Sequence, residues 1–387
     1  MVKEKIVIFL FFLFFALYFF ASPKIIHGSN DGAHFALLRN LDTGQIKLDD
    51  RLMPYTGYVN FAKYGEKRYS DRPPGMAILA APFYFVAKGL SRVFPFELNS
   101  REMESSISGM QENNQDIFPA RSFGIGIVHL VPILLSAATI SILFLFLCLY
   151  TTRVWPSFVL ASLFGLGTLF AKYATVFLSH NVSVFLTMVV IWLLFRIKKL
   201  DSHKKPWEYA VLGFCLGFMA LFEYQMAILG LGVLIIIISF GCRRFFGIPL
   251  GQWINGAVLC FLAWGAVPVL AMACYQYFLF DNPLSTTYSY HGFYLYMHTL
   301  AGVFSGNIIE GLQGLLIQPY RNGLFLVSPF ILIGIIGAMM TLKRHRTEKA
   351  FLLLIAVVHI LIISSYIEWH GGSFYPRYII WSALLLY

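Results

Sequence analysis

The sequence predicts an all-α polytopic membrane protein, and three observations predict it. Of 387 residues, 58% are hydrophobic and only 12% charged, too little charge to keep a soluble surface of that size in water. The 38 Phe and 21 Tyr are residues of lipid-facing and interfacial surfaces. Apolar runs of spanning or near-spanning length recur along the whole chain. The formal net charge of +10 follows from Lys and Arg retained in cytoplasmic loops. Nucleic-acid binding is the runner-up explanation of that charge and a poor one, because no basic patch is interleaved with exposed aromatics.

Residues 1–22 read as the first span, with Lys3 and Lys5 ahead of an apolar run long enough to cross a bilayer. Its end, Tyr18-Phe19-Phe20-Ala21-Ser22, lacks the small-x-small pattern of a cleaved signal, so the helix is expected to be retained. Residues 23–75 form a polar first extracytoplasmic loop. Within it, Phe35, Leu37, Leu38 and Leu41 recur at roughly helical spacing and predict an amphipathic helix lying on the membrane. Further apolar segments follow at about 76–94, 121–150, 154–171, 174–196, 207–222, 225–241, 251–280, 322–342, 350–367 and 377–387, giving one domain over 1–387 with about ten or eleven transmembrane segments. Two polar-aromatic stretches interrupt them, at 95–120 and 281–321.

Orientation follows from three basic clusters: Arg196 to Lys205, Arg243 with Arg244, and Lys343 to Lys349. Placed in the cytoplasm, they leave 23–75, 281–321 and 368–376 outside. The crossings between the first loop and the first cluster do not then come to an odd number, and 76–94 is the weakest of the segments there. The last segment is too short to span, so the sequence reads as stopping inside a helix, as a truncated C-terminal region would. Cys148, Cys215, Cys242, Cys260 and Cys274 lie in or beside apolar runs, with neither disulfide nor zinc spacing, and read as packing residues.

Two acids stand out in the first loop. Asp31, in Asn30-Asp31-Gly32-Ala33-His34-Phe35, lies just beyond the outer end of the first helix. There a carboxylate can take a proton from an incoming hydroxyl. Asp71 lies in Tyr69-Ser70-Asp71-Arg72-Pro73-Pro74-Gly75, where the prolines stiffen the backbone and Gly75 permits close approach to the next segment. Carboxylates at a membrane surface are costly unless they are used.

These motifs resemble a known superfamily. Asp31-Gly32-Ala33-His34-Phe35 looks like the Asp-Glu-x-His-Phe motif of protein O-mannosyltransferases. The element ending in Arg72-Pro73-Pro74-Gly75 resembles the one that follows in those enzymes and in lipid A aminoarabinose transferases. Both belong to the GT-C glycosyltransferases, which use polyprenyl-phosphate-linked sugars. Phe177-Leu178-Ser179-His180, Leu221-Phe222-Glu223-Tyr224, Arg321-Asn322-Gly323-Leu324-Phe325 and Trp369-His370-Gly371-Gly372-Ser373, with Pro376-Arg377-Tyr378, are similar to segments of other members. Gly32 stands where the second acid of the pair would be.

The resemblance implies a GT-C-like bundle and an inverting transfer on the extracytoplasmic side of the plasma (inner) membrane. Asp31 would be the base, and the lipid phosphate would leave with stabilisation from arginines. Substrate contacts are expected at Asp71, Arg72, His34, His180, Glu223, Arg321, His370 and Arg377. The partners would be the bilayer, a lipid-linked sugar donor and a glycan, lipid or protein acceptor. The resemblance fixes no cofactor; a divalent metal is compatible with it but has no ligand spacing behind it. Two alternatives belong beside this one: a transporter or flippase for lipid-linked sugars, and an enzyme like O-antigen ligases or polymerases. Transporters place broken helices and inverted repeats at mid-membrane, whereas these acids gather in an outer loop.

Overall fold

The computed structural model describes residues 2–98, 120–151, 153–200, 205–241, 256–340, 346–370 and 376–387. Its helices include α1 (Val2–Ala21), α2 (Ser29–Thr43), α3 (Gly75–Val93), α4 (Leu130–Tyr150), α5 (Val154–Gly167), α6 (His180–Leu200), α7 (Pro206–Met219), α8 (Ala227–Gly241), α9 (Gly256–Phe280), α10 (Ile308–Leu316), α11 (Ile331–Met340), α12 (Arg346–Ser364) and α13 (Ile380–Leu386). Five stretches are long and apolar enough to cross a membrane: Val2–Ala21, Gly75–Val93, Phe123–Tyr150, His180–Lys199 and Val258–Phe280. Shorter apolar helices accompany them at Val154–Gly167, Tyr224–Ile235, Lys349–Ser364 and Arg377–Leu386. These helices are compatible with a membrane protein. The weakest expected segment, 76–94, is thus among the five, running unbroken through Pro82.

Helix α4 is apolar on all sides and takes α1 along one flank and α6 along another. Few polar groups cross the contacts among these helices and α5, and three of them make hydrogen bonds between helices. The Tyr18 hydroxyl donates to the Gly165 carbonyl at 2.8 Å, Ser141 Oγ to the Val7 carbonyl at 3.2 Å, and Asn181 Nδ2 to Ser136 Oγ at 2.6 Å. Helices α7 and α9 meet backbone to backbone. A Cβ at Gly213 would collide with the Phe261 carbonyl, and one at Gly217 with the Gly265 carbonyl. Small residues four apart let the helices approach this closely, a packing pattern shared with membrane helix pairs.

The first loop departs from an all-α description. It holds an antiparallel hairpin, β1 (Phe61–Tyr64) and β2 (Lys67–Ser70), turning through Gly65 at φ +59°. The helix expected there exists as α2, but it does not lie open on a surface. Asp31 to Leu38 are all buried, while Leu41 is 42% exposed. The reason is its small side chains: Gly32, Ala33 and Ala36 let α3, the hairpin and the one-turn helix Met53–Thr56 close around it. Phe35 is clasped by Tyr55 and Tyr84, with ring centroids 5.4 and 6.1 Å away.

Three ties fix the hairpin. Ser70 Oγ donates to the Ala33 carbonyl at 3.0 Å, and the Gly75 N–H donates to the Leu221 carbonyl at 2.7 Å. From the stretch following α9, Gly292 N–H donates to the Phe61 carbonyl at 2.8 Å. The close approach expected of Gly75 is real, since a Cβ there would lie 2.5 Å from the Leu221 oxygen.

Candidate active site

A cavity of about 180 Å³ opens where the first loop, the 281–298 stretch and the chain between α12 and α13 converge. Asp71 and Arg72 enter it from the turn after β2, Asn30 from the start of α2, and Asn60 from the approach to β1. Two successive left-handed residues, Gly57 at φ 60° and Tyr58 at φ 58°, reverse the chain so that Val59 and Asn60 reach the cavity wall. From the far stretch come Tyr288, His291, Tyr294 and Tyr296, and from the C-terminal side Tyr366, Glu368, Arg377 and Tyr378.

Asp71 is the buried acid of this wall, 1% exposed. Arg72 Nε lies 3.2 Å from Asp71 Oδ1, and His291 Nε2 lies 3.6 Å from Oδ2. Behind the acid, Thr287 Oγ1 donates to the Asp71 carbonyl at 2.5 Å. The second guanidinium nitrogen of Arg72 donates to Asn30 Oδ1. Burial opposes the charge on Arg72, yet the neighbouring Asp71 holds its guanidinium above the ordinary range, so it stays a cation. Burial also raises the Tyr288 hydroxyl, which stays a neutral donor. Arg377, 7% exposed, stands over the Tyr378 ring at 5.1 Å.

The buried atoms of this wall that make no hydrogen bond include Asp71 Oδ1, Arg72 Nε, His291 Nε2 and Arg377 Nε. The Asp71–Arg72 pair is close but lacks hydrogen-bond alignment. Buried polar atoms left open are costly, and several around one cavity indicate a ligand that completes them. Two arginines against the one buried acid leave this wall with more positive than negative charge among its most enclosed side chains, a surface suited to an anion.

Asp31 lies elsewhere. It does not line the cavity, and its carboxylate is occupied at the start of α2, where Oδ2 accepts from His27 N–H at 2.6 Å and Oδ1 from Gly28 N–H at 2.9 Å. Gly28 is the helix cap and Asp31 its third residue, so the carboxylate closes the helix end. Burial pushes its carboxyl up from an ordinary 3.8 to about 6, against the pull of those N–H groups. His34 is buried against Phe177, outside the cavity lining, and burial together with Arg72, His180 and Arg377 keeps it far below the usual imidazole range.

His180 and Glu223 form a dyad behind the wall, with His180 Nδ1 donating to Glu223 Oε1 at 2.7 Å. Ser179 Oγ and Gln225 Nε2 also donate to that carboxylate, at 3.2 and 2.6 Å. The Gln225 amide oxygen then accepts from His359 Nε2 at 3.2 Å, and His359 Nδ1 accepts from Ser382 Oγ at 2.7 Å. The His180 ring stacks edge-on to Tyr378 at 5.8 Å, so this network backs the wall and does not face the cavity. His370 lies 3.4 Å from the rim carboxylate of Glu368, also outside the lining. The backbone of Arg321 ends a one-turn helix, Pro319–Arg321, and its side chain lies outside the described residues.

Asp71, Arg72 and Arg377 are thus brought together, whereas Asp31, His34, His180, Glu223 and His370 are not in the wall. Sequence reasoning missed His291, Glu368 and the tyrosines. The Tyr- and His-rich run Thr287-Tyr288-Ser289-Tyr290-His291, within a stretch already read as an outer loop, was the available signal. Among the described residues, no group of three or more His, Cys, Asp or Glu could hold a metal ion. The chain matches no protein-family description, no curated protein and no solved structure.

Proposed function

We propose that the chain is a GT-C-like membrane glycosyltransferase that moves a sugar from a polyprenyl-phosphate carrier to an acceptor hydroxyl on the outer face of the membrane. The observation that carries this is the cavity itself: one buried carboxylate and two arginines in its lining, with unfilled hydrogen-bonding atoms on all three. The order of the sequence motifs supports it independently.

The chemistry divides among these residues. Arg72 and Arg377 bind the phosphate and stabilise the charge that grows on it as the bond to the sugar breaks. Asp71 accepts the proton of the attacking hydroxyl. Attack from the side opposite the phosphate inverts the anomeric carbon. The tyrosine hydroxyls offer neutral donors and acceptors to the sugar, and their ring faces offer stacking. The role expected of Asp31 passes to Asp71, because the Asp31 oxygens are engaged by backbone N–H groups and Asp71 Oδ1 is not.

Binding of undecaprenyl phosphate to the full chain in lipid nanodiscs tests the anion site. Wild type is expected to bind it, and Arg377→Ala to weaken it by roughly 10- to 100-fold, the worth of a charged hydrogen-bond pair. Equal affinity in the two proteins removes Arg377 from the phosphate site. A transporter would place its substrate between broken helices at mid-membrane, and the cavity lies instead among loops and helix ends.

A further inference from the structure

The His291 ring is held in one protonation form by the backbone. Its Nδ1 accepts from two N–H groups, those of Phe293 at 3.2 Å and Tyr294 at 3.0 Å. A nitrogen that accepts twice carries no proton, so the hydrogen of the neutral ring sits on Nε2. That Nε2 is 3.6 Å from Asp71 Oδ2 and has no hydrogen-bond partner. The ring is 1% exposed, and its carbonyl is pinned by His298 Nε2 at 2.9 Å. The neighbouring Gly292 N–H is tied to the hairpin that delivers Asp71.

We infer that His291 is a positioning residue: a ring locked with its proton on Nε2 that aims the Asp71 carboxylate into the cavity. The inference rests on the proposed role of Asp71 as base. Nε2–H faces Oδ2 from 3.6 Å on one side and Arg72 Nε faces Oδ1 from 3.2 Å on the other, so the carboxylate is flanked by a positive edge on each side. Its remaining lone pairs then point where an acceptor hydroxyl enters. The two nitrogens of the ring divide the work, one accepting from the loop and the other facing the acid.

That division makes the test. His291→Asn keeps a short acceptor for the Phe293 and Tyr294 N–H groups but does not reach Asp71. His291→Gln extends a donor toward Asp71. Full chain carrying ¹⁵N-histidine and carboxyl-¹³C-aspartate is measured by NMR in nanodiscs, with His291 and Asp71 assigned by loss of their signals in His291→Asn and Asp71→Asn. The expected result is a protonated Nε2 and bare Nδ1 for His291, an Asp71 carboxyl signal displaced in His291→Asn, and its return toward wild type in His291→Gln. A proton on Nδ1, or an Asp71 signal identical in all three proteins, overturns the inference. If His291→Asn does not fold, the wild-type protonation pattern and His291→Gln still decide. Failure of wild type to bind undecaprenyl phosphate counts against the glycosyltransferase proposal, while the NMR result still judges the Asp71–His291 pair.

Discussion

Asp31 and Asp71 are two buried acids from one loop, 3% and 1% exposed, and they have opposite surroundings. Asp31 is turned back on its own chain, with each oxygen taken by a backbone N–H within four residues. Asp71 has the adjacent Arg72 beside one oxygen and, from the stretch after α9, His291 facing the other and Thr287 on its carbonyl, and Oδ1 makes no hydrogen bond. Burial and residue type are the same for both. What separates a helix-closing acid from a candidate base is whether its lone pairs are already spent.

The contrast can be broken most directly by exchanging function between the two. Asp71→Asn should lower sugar transfer from polyprenyl-phosphate donors by on the order of 10²- to 10⁴-fold, the usual worth of a general base. Undecaprenyl phosphate should still bind. Asp31→Asn should leave transfer per folded molecule within about 3-fold of wild type. The reverse ranking, measured on membranes with equal amounts of each protein, would return the base role to Asp31.

A second, smaller effect concerns how Asp71 is placed. Gly75→Ala drives a methyl group into the Leu221 carbonyl, a backbone atom that cannot rotate away. The expected cost is about 1–3 kcal/mol, seen as a lower unfolding temperature. Weakened undecaprenyl phosphate binding should accompany it, because the Asp71–Arg72 turn moves. Full stability with full binding would show that this tie is dispensable.

The smallest effect sharpens the Asp31 side. Its folded-state value, about 6, lies above the ordinary 3.8. A carboxyl shifted that way favours folding when protonated, so its contribution is fully present below about 4 and is lost as pH rises through about 6. Thermal unfolding of wild type should therefore show this fall across that window, and Asp31→Asn should flatten it. Asp31→Ala, which removes the helix closure, should cost about 1 kcal/mol. An unaltered pH slope in Asp31→Asn would mean that the carboxyl is not buried as described.

Much of the fold was legible in the sequence, because apolar run length is a strong signal and needs no partner to be read. The first helix, α3, the helix at 29–43 and the break at Glu223 all stand where run length and polarity put them. The surroundings of α2 were not legible: the spacing of Phe35, Leu37 and Leu38 shows an apolar face but not that Gly32 and Ala36 let other elements cover the opposite one. At the site, Asp71, Arg72 and Arg377 were found from their neighbours. His291 was not, since its meaning comes from two backbone N–H groups and one acid 220 positions earlier in chain order, from 71 to 291. Asp31 looked like the stronger acid because a short motif says nothing of which donors already hold it.

The hydrogen bond from Thr287 to the Asp71 carbonyl joins positions 216 residues apart. At about 10 residues per second, a ribosome needs roughly 20 s to make the chain between them. The first loop is therefore complete long before the stretch that closes over it exists, with Asp71 and Arg72 awaiting their partners. A chain stopped before position 281 carries both residues and still has no cavity. The wall is complete only when the 281–298 stretch and, after it, the chain carrying Tyr366 to Tyr378 have both been made.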